Sequence, residues 1–198
     1  MDQTPDLELS LRNALSHVGS ASSDFDLNKD LPAPQGRALK PAAVLIGVTQ
    51  DAQVILTKRS ARLQHHPGQV AFPGGKQDPT DATLTDAALR EAHEEIGLPP
   101  ALVKPLGALP THETVTGYQV TPILALITAD FTEIPEAGEV AEVFRAPLSH
   151  VTNPANFRIE GRRWQGHQRH YYAVPYGPYY IWGATARILR GLAECMAK

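Results

Sequence analysis

Three stretches of the chain place apolar residues at helix-compatible spacing, and between them apolar residues run in short β-branched clusters. Leu7, Leu9, Leu11 and Leu15 mark a first helix that dissolves into "GSASSDFD", followed by a proline-interrupted connector, "LPAPQGRALKP". From Ala42 the pattern changes: "AAVLIGVTQ" and "QVILTK" read as two strands joined by a turn at Asp51-Ala52. A helix follows over Thr83 to Ile96, and further strands are expected in "LVKPLGAL", "VTPILALIT" and "EVFRAP". A polar hairpin is expected across "FRIEGRRWQGHQRHYYAV". The chain closes on "GATARILRGLAECMA", where Ile188, Leu189, Leu192 and Met196 form a helical stripe. No repeat is visible. Strands interspersed with a few helices predict a layered α/β or α+β domain, with residues 1–40 an N-terminal arm and connector and 41–198 the domain proper. The arm is expected to pack on that domain or to serve as a dimer element.

Composition narrows the function rather than the fold. The 198 residues suffice for one sizeable core. A net charge of −3 without a basic stripe argues against a nucleic-acid surface. Cys195 is the only cysteine, which excludes an internal disulfide or a cysteine-built zinc site and suits a reducing cytoplasm. The N-terminal residues lack the pattern of a signal peptide, and runs such as "PAAVLIGV" fall short of a membrane span.

The central helix carries the chemistry. Thr83 is an N-cap with Asp86 three residues on, Gly97 suits a left-handed cap, and Pro99-Pro100 forbid continuation. Leu89, Ala92 and Ile96 make its buried stripe, while Glu91, Glu94 and Glu95 form an acidic edge flanked by Arg90. A solvated helix usually sets lysine four residues after glutamate, yet no lysine lies between Gln77 and Pro99. Neighbouring carboxylates repel unless a cation neutralises them, and oxygen ligands select a hard ion, Mg²⁺ or Mn²⁺. "FPGG" just ahead gives tight turning without side-chain bulk, so the backbone can approach a ligand closely. Other motifs fail. Gly75-Lys76 is not a P-loop, because Val70 replaces the first glycine and Gln77 the Ser/Thr. His93-Glu94 begins like a zinc-protease helix, but Gly97 stands where the second histidine belongs. His65-His66 read as loop-packing or substrate-facing.

The stretch "GGKQDPTDATLTDAALREAHEEIGL" resembles the Nudix box. Its second half matches at Arg90, Glu91, Ala92, Glu94, Glu95, Gly97 and Leu98. The first half is one residue longer than usual, with Asp81 in place of a glutamate and Asp78 as its rival. Upstream, "ILTKRSARLQHHPGQVAFPGG" is similar to the coenzyme A pyrophosphatase subgroup, in which the same extension occurs, although Gln64 stands at a usually basic position that Arg62 could cover. Downstream, "GYQVTPILALI" and "YYIWGATARIL" are similar too, so the likeness runs from about residue 42 to 192.

The resemblance implies a mixed sheet between helices and hydrolysis of a nucleoside diphosphate linked to another group: coenzyme A or a derivative, with ADP-ribose or a dinucleotide as the alternative. A nucleotide-sensing module without catalysis would be expected to lack a box glutamate, and none is missing. Glu91, Glu94 and Glu95 are the expected metal ligands, Glu91 doubling as candidate base, with Gly75 lending a carbonyl. Arg90 is expected to anchor the glutamates through paired hydrogen bonds. Glu139 is a candidate further ligand or base, and Glu113 a weaker one. Lys58, Arg59 and Arg62 supply charge for phosphates, and Phe72 and Lys76, either side of the glycine turn, join them as candidate substrate contacts. Tyr118, Trp164 and the "YAVPYGPYYIW" aromatics stand open between core packing and an adenine-stacking wall.

Overall fold

Along Lys40–Val48, Ala43 and Leu45 enter one buried cluster while Ala42, Ile46 and Val48 enter another. A strand whose successive side chains point to opposite faces must have a layer on each, and this one does. The computed structural model describes residues 4–17, 19–31, 36–164 and 166–197. The proline run of the connector and the side chain of Trp164 lie outside what is described.

In chain order come α1 (Thr4–Ser16), β1 (Ser22–Ser23), β2 (Lys40–Val48), β3 (Gln53–Arg59), β4 (Val70–Ala71), β5 (Gly74–Lys76) and α2 (Leu84–Ile96). They are followed by β6 (Val103–Ala108), β7 (His112–Glu113), β8 (Tyr118–Ile127), β9 (Val140–Pro147) and the single turn α3 (Leu148–Val151). The hairpin β10 (Arg158–Trp164) and β11 (His167–Ala173) precedes α4 (Ala184–Met196).

The main sheet is mixed. β2 runs parallel to β8 from Lys40↔Tyr118 to Val48↔Leu126. The other side of β2 is shared: its last residue pairs β3 antiparallel at Val48↔Val54, and its first half pairs β5 at Ala42↔Lys76 to Val44↔Gly74. β9 and β4 both line β3, and β6, β7 and then β1 extend the sheet beyond β8.

Two helical layers close the faces. Ala87, Ala88, Ala92 and Ile96 of α2 pack on Ala43, Leu45, Ile55 and Ile123. Small side chains let that helix sit close to the sheet. On the opposite face, Leu11 and Ala14 of α1 meet Ile188, Leu189 and Leu192 of α4 over Ile46, Leu56 and Leu124. The arm therefore packs on its own domain through α1. Tyr118 packs against this second core, as do Tyr172, Tyr176 and Tyr179. Among the described residues no helix is long and apolar enough to cross a membrane.

Candidate active site

The helix start predicted from Thr83 forms in full. Thr83 Oγ1 accepts the Asp86 N–H at 3.1 Å, and the Asp86 carboxylate accepts the Thr83 N–H at 2.9 Å. At the other end Gly97 takes φ 71° and ψ 16°, the left-handed cap. These ends fix the helical phase, and the phase turns Glu91 and Glu95 toward β5.

β5 is built to receive them. Gly74 has φ 152°, and a Cβ there would run into Ala43 O and the Val44 Cα, so glycine is required where β5 crosses β2. Its N–H donates to Glu95 Oε2 at 3.1 Å. A Cβ on Gly75 would lie 2.5 Å from Glu91 Oε1, so the missing side chain is the space the Glu91 carboxylate occupies.

The three glutamates are unequal, which modifies the expected continuous acidic edge. Glu95 is only 6% exposed, the Glu91 side chain 18% and the Glu94 side chain 57%. Burial pushes the Glu95 carboxyl up to about 7; the Gly74 N–H and the Arg59 charge work against the shift, and Glu91 and Glu139 add to it. Glu91 is raised as well, by burial first, with the Arg90 hydrogen bond opposing.

Arg90 is the hub, but its paired hydrogen bonds go elsewhere than expected. Nε and Nη2 grip Asp81 Oδ1 and Oδ2 at 3.0 and 2.9 Å, while Nη1 donates singly to Glu91 Oε1 at 3.1 Å and Glu94 Oε2 at 2.9 Å. Nη2 also donates to the Lys76 carbonyl at 3.1 Å. A guanidinium fork matches one carboxylate in its plane, and Asp81, its side chain only 5% exposed, occupies that place. The Arg90 bond holds Asp81 below the ordinary aspartate range. Asp78, the rival acid, is exposed and 3.9 Å from Nη2.

The remaining candidates divide. Arg59 ends β3, and its charge reaches both Glu95 and His66. Glu139 is exposed, its N–H bonded to Glu136 Oε2 at 2.7 Å, and its charge is felt by Glu91 and Glu95. Arg62 and Lys76 are exposed. Lys58 follows Val54 and Leu56 in alternation, so it faces the α4 side rather than the α2 side. Phe72, 3% exposed, is a core residue rather than a surface one. Glu113 is taken by Arg37, whose Nη2 donates to it at 2.8 Å. The sequence reading missed the contact of the arm with β7: His112, fully buried, bridges Ser22 Oγ at 2.9 Å and Asp24 Oδ1 at 3.1 Å. Residues about ninety positions apart carry no local signal of such a bridge.

A divalent cation suits the donor chemistry. Glu91 and Glu95 are buried carboxylates disfavoured in their charged form, and a neighbouring cation reverses that penalty. Arg90 occupies one oxygen each of Glu91 and Glu94. Among the described residues no three ligating side chains already converge, so an ion would have to draw Glu94 in.

A mixed sheet between helices, with a carboxylate-bearing helix held against a Gly-Gly strand, makes this an α+β domain with its acidic cluster on one face. Residues 38–168 match the NUDIX domain, and the chain belongs to that family. Its relatives include the uncharacterized Nudix hydrolase NudL of Enterobacter sp. (strain 638), 44% identical over 156 residues that span 78% of this chain and 81% of that protein. NudL of Klebsiella pneumoniae subsp. pneumoniae is 40% identical over 173 residues, 86% of this chain and 90% of that one. The crystal structure of RenU, a Nudix hydrolase from M. smegmatis, aligns with a TM-score of 0.46 at 26% identity, covering 58% of this chain and 73% of its own. Nudix hydrolases generally use divalent metal ions.

Proposed function

We propose that this Nudix hydrolase cleaves the diphosphate bond of coenzyme A or a derivative, giving a 4′-phosphopantetheine species and adenosine 3′,5′-bisphosphate. The observation that carries the reading is the course of residues 60–69, the segment similar to the coenzyme A subgroup. They leave β3 directly after Arg59, whose charge reaches Glu95, and return as β4 with the Arg59 N–H bonded to Gln69 O at 2.9 Å. A loop that leaves the sheet beside Glu95 supports a role in selecting what hangs from the diphosphate.

Glu91, Glu94 and Glu95, with the Gly75 carbonyl and Glu139, would hold Mg²⁺ or Mn²⁺, which when bound neutralises phosphate charge and acidifies water. The protein's own part is orientation and proton handling. Arg90, locked by Asp81, holds Glu91 and Glu94 in place. Glu91, its carboxyl raised by burial, is suited to take a proton from the attacking water. Arg59 and Arg62 supply positive charge toward the substrate phosphates.

A hydrolysis panel of coenzyme A, ADP-ribose and NADH, titrated with Mg²⁺ and Mn²⁺, tests the reading. Ion-dependent cleavage of coenzyme A is expected, and Glu94→Gln or Glu95→Gln should each lower turnover by about 100-fold or more with the fold intact. Cleavage of ADP-ribose with coenzyme A left whole would overturn the substrate. Wild-type turnover in both variants would overturn the metal assignment.

A further inference from the structure

The bridge that ties the arm to β7 is built from three groups with chemistry of their own. Ser22 Oγ lies 2.9 Å from His112 Nδ1, and His112 Nε2 lies 3.1 Å from Asp24 Oδ1. Asp24 Oδ2 accepts the Val115 N–H at 2.8 Å, which fixes the carboxylate. A hydroxyl, an imidazole and a carboxylate in one hydrogen-bonded chain are the parts of an activated serine, recognised by geometry rather than by chain order.

Asp24 decides the tautomer. Burial opposes its charge, yet the His112 bond and charge, the Val115 N–H and Arg169 together hold its carboxyl below the ordinary aspartate range. An ionised carboxylate only accepts, so Nε2 carries the imidazole proton and donates it to Asp24. Nδ1 then presents a lone pair, and the Ser22 hydroxyl is the donor. His112 is fully buried, so water does not compete for that lone pair.

A serine that only holds a loop needs no space beside it, and Ser22 has some. It lines a pocket of about 170 Å³ with Leu109, Pro110, Pro122, Ile188 and Leu192. Ser22 pairs with His112 and His112 with Val120, so these side chains share one face of the sheet. Pro122, two residues beyond Val120, lies on that face too, and it is the face that α4 covers. Hydroxyl and pocket are therefore on the same side. A cavity of about 150 Å³ takes a benzene ring, so this one suits a small acyl group.

We propose that Ser22 is the nucleophile of a second, metal-independent site that hydrolyses small carboxylic esters, with His112 as its base and Asp24 orienting the imidazole. Ser22 Oγ bonds to the ester carbonyl carbon as its proton passes to His112 Nδ1. The bond from that carbon to the alkoxy oxygen breaks, and the alkoxy group leaves with the proton, giving acyl-Ser22 and an alcohol. Water then attacks the acyl carbon while giving a proton to His112, and that proton restores the Ser22 hydroxyl as the carboxylic acid departs. The Ser22 N–H is bonded to Thr111 O at 2.9 Å and does not serve the oxyanion, so the rate gain rests on the nucleophile–base pair, about 100-fold or more. The site lies across the sheet from Glu91 and Glu95 and does not depend on the coenzyme A assignment.

The full chain in excess EDTA, which silences divalent-ion chemistry, tests the site with p-nitrophenyl acetate and diisopropyl fluorophosphate as probes. Wild type should hydrolyse the ester, and Ser22→Ala should lose about 100-fold in rate. The fluorophosphate, which phosphorylates activated serine hydroxyls with loss of fluoride, should leave an adduct on wild-type protein that peptide mapping places on Ser22. That second measurement decides the matter even where Ser22→Ala fails to fold. Equal hydrolysis by folded Ser22→Ala, or no adduct on Ser22 after prolonged treatment, would leave the bridge a structural clamp only and would overturn the site.

Discussion

Glu95 sits where a carboxylate is least at home, on the inner side of α2 with one backbone N–H as its hydrogen-bond donor. Its folded pKa of about 7 exceeds the ordinary 4.5, so the folded state holds the proton more tightly than the unfolded chain does. Ion-free stability is therefore highest below the ordinary carboxyl range, falls as pH rises toward 7, and stays low above it. The penalty at pH 8 is about 3 kcal/mol, from the same shift. Glu95→Gln removes the charge and keeps an acceptor for Gly74. The variant should melt higher than wild type at pH 8 without divalent ions, and adding Mg²⁺ should raise the wild-type melting temperature more than the variant's. A variant that melts lower than wild type in ion-free buffer at pH 8 would show that burial does not oppose this charge.

Elements differ in how much of them local sequence determines. The helix α2 was legible because Thr83, Asp86 and Gly97 act within a few residues of themselves. The long strands were legible from β-branched runs. By contrast β1, β5 and β7, only two or three residues each, exist because a neighbouring strand offers hydrogen bonds, and no short sequence encodes that. Within the site, the box spacing pointed to Glu91, Glu94 and Glu95 but left Asp81 undecided, because its claim depends on a loop folding back nine residues to Arg90. The arm was legible as a helix and not as a clamp. Asp24 supplies a test of that clamp. Burial pushes its carboxyl up, but the His112 bond and charge, with the Val115 N–H and Arg169, pull it below the ordinary aspartate range. Its contribution is present above the unfolded value of 3.8 and is lost as pH falls through the folded one. Asp24→Asn should lower the melting temperature at neutral pH and flatten its decline below about pH 4. An acid decline as steep as wild type would show that the arm is held by other contacts.

At the scale of the whole molecule the sheet separates two jobs. On one face α2 presents the Glu95 carboxylate, whose charge burial opposes, beside the other carboxylates proposed to hold the metal. On the other, α1 and α4 bury the larger apolar cluster. Lesions on the two faces should therefore dissociate. Leu11 of α1 is fully buried, and Leu11→Ala should cost about 2–5 kcal/mol, read as a lower denaturant midpoint. Because Leu11 lies across the sheet from Glu91 and Glu95, turnover per folded molecule should stay near wild type well below the melting temperature. Gly75→Ala should do the reverse. The atoms nearest the new methyl are those of the Glu91 carboxylate, the flexible end of that side chain, so the fold can yield cheaply, but it yields by moving the carboxylate. Displacing a catalytic group by about 1 Å costs about 100-fold in rate. Unfolding curves and turnover measured on both variants decide the matter. If Leu11→Ala lost turnover in step with stability, or Gly75→Ala lost stability and kept its rate, the two faces would not be separable in this way.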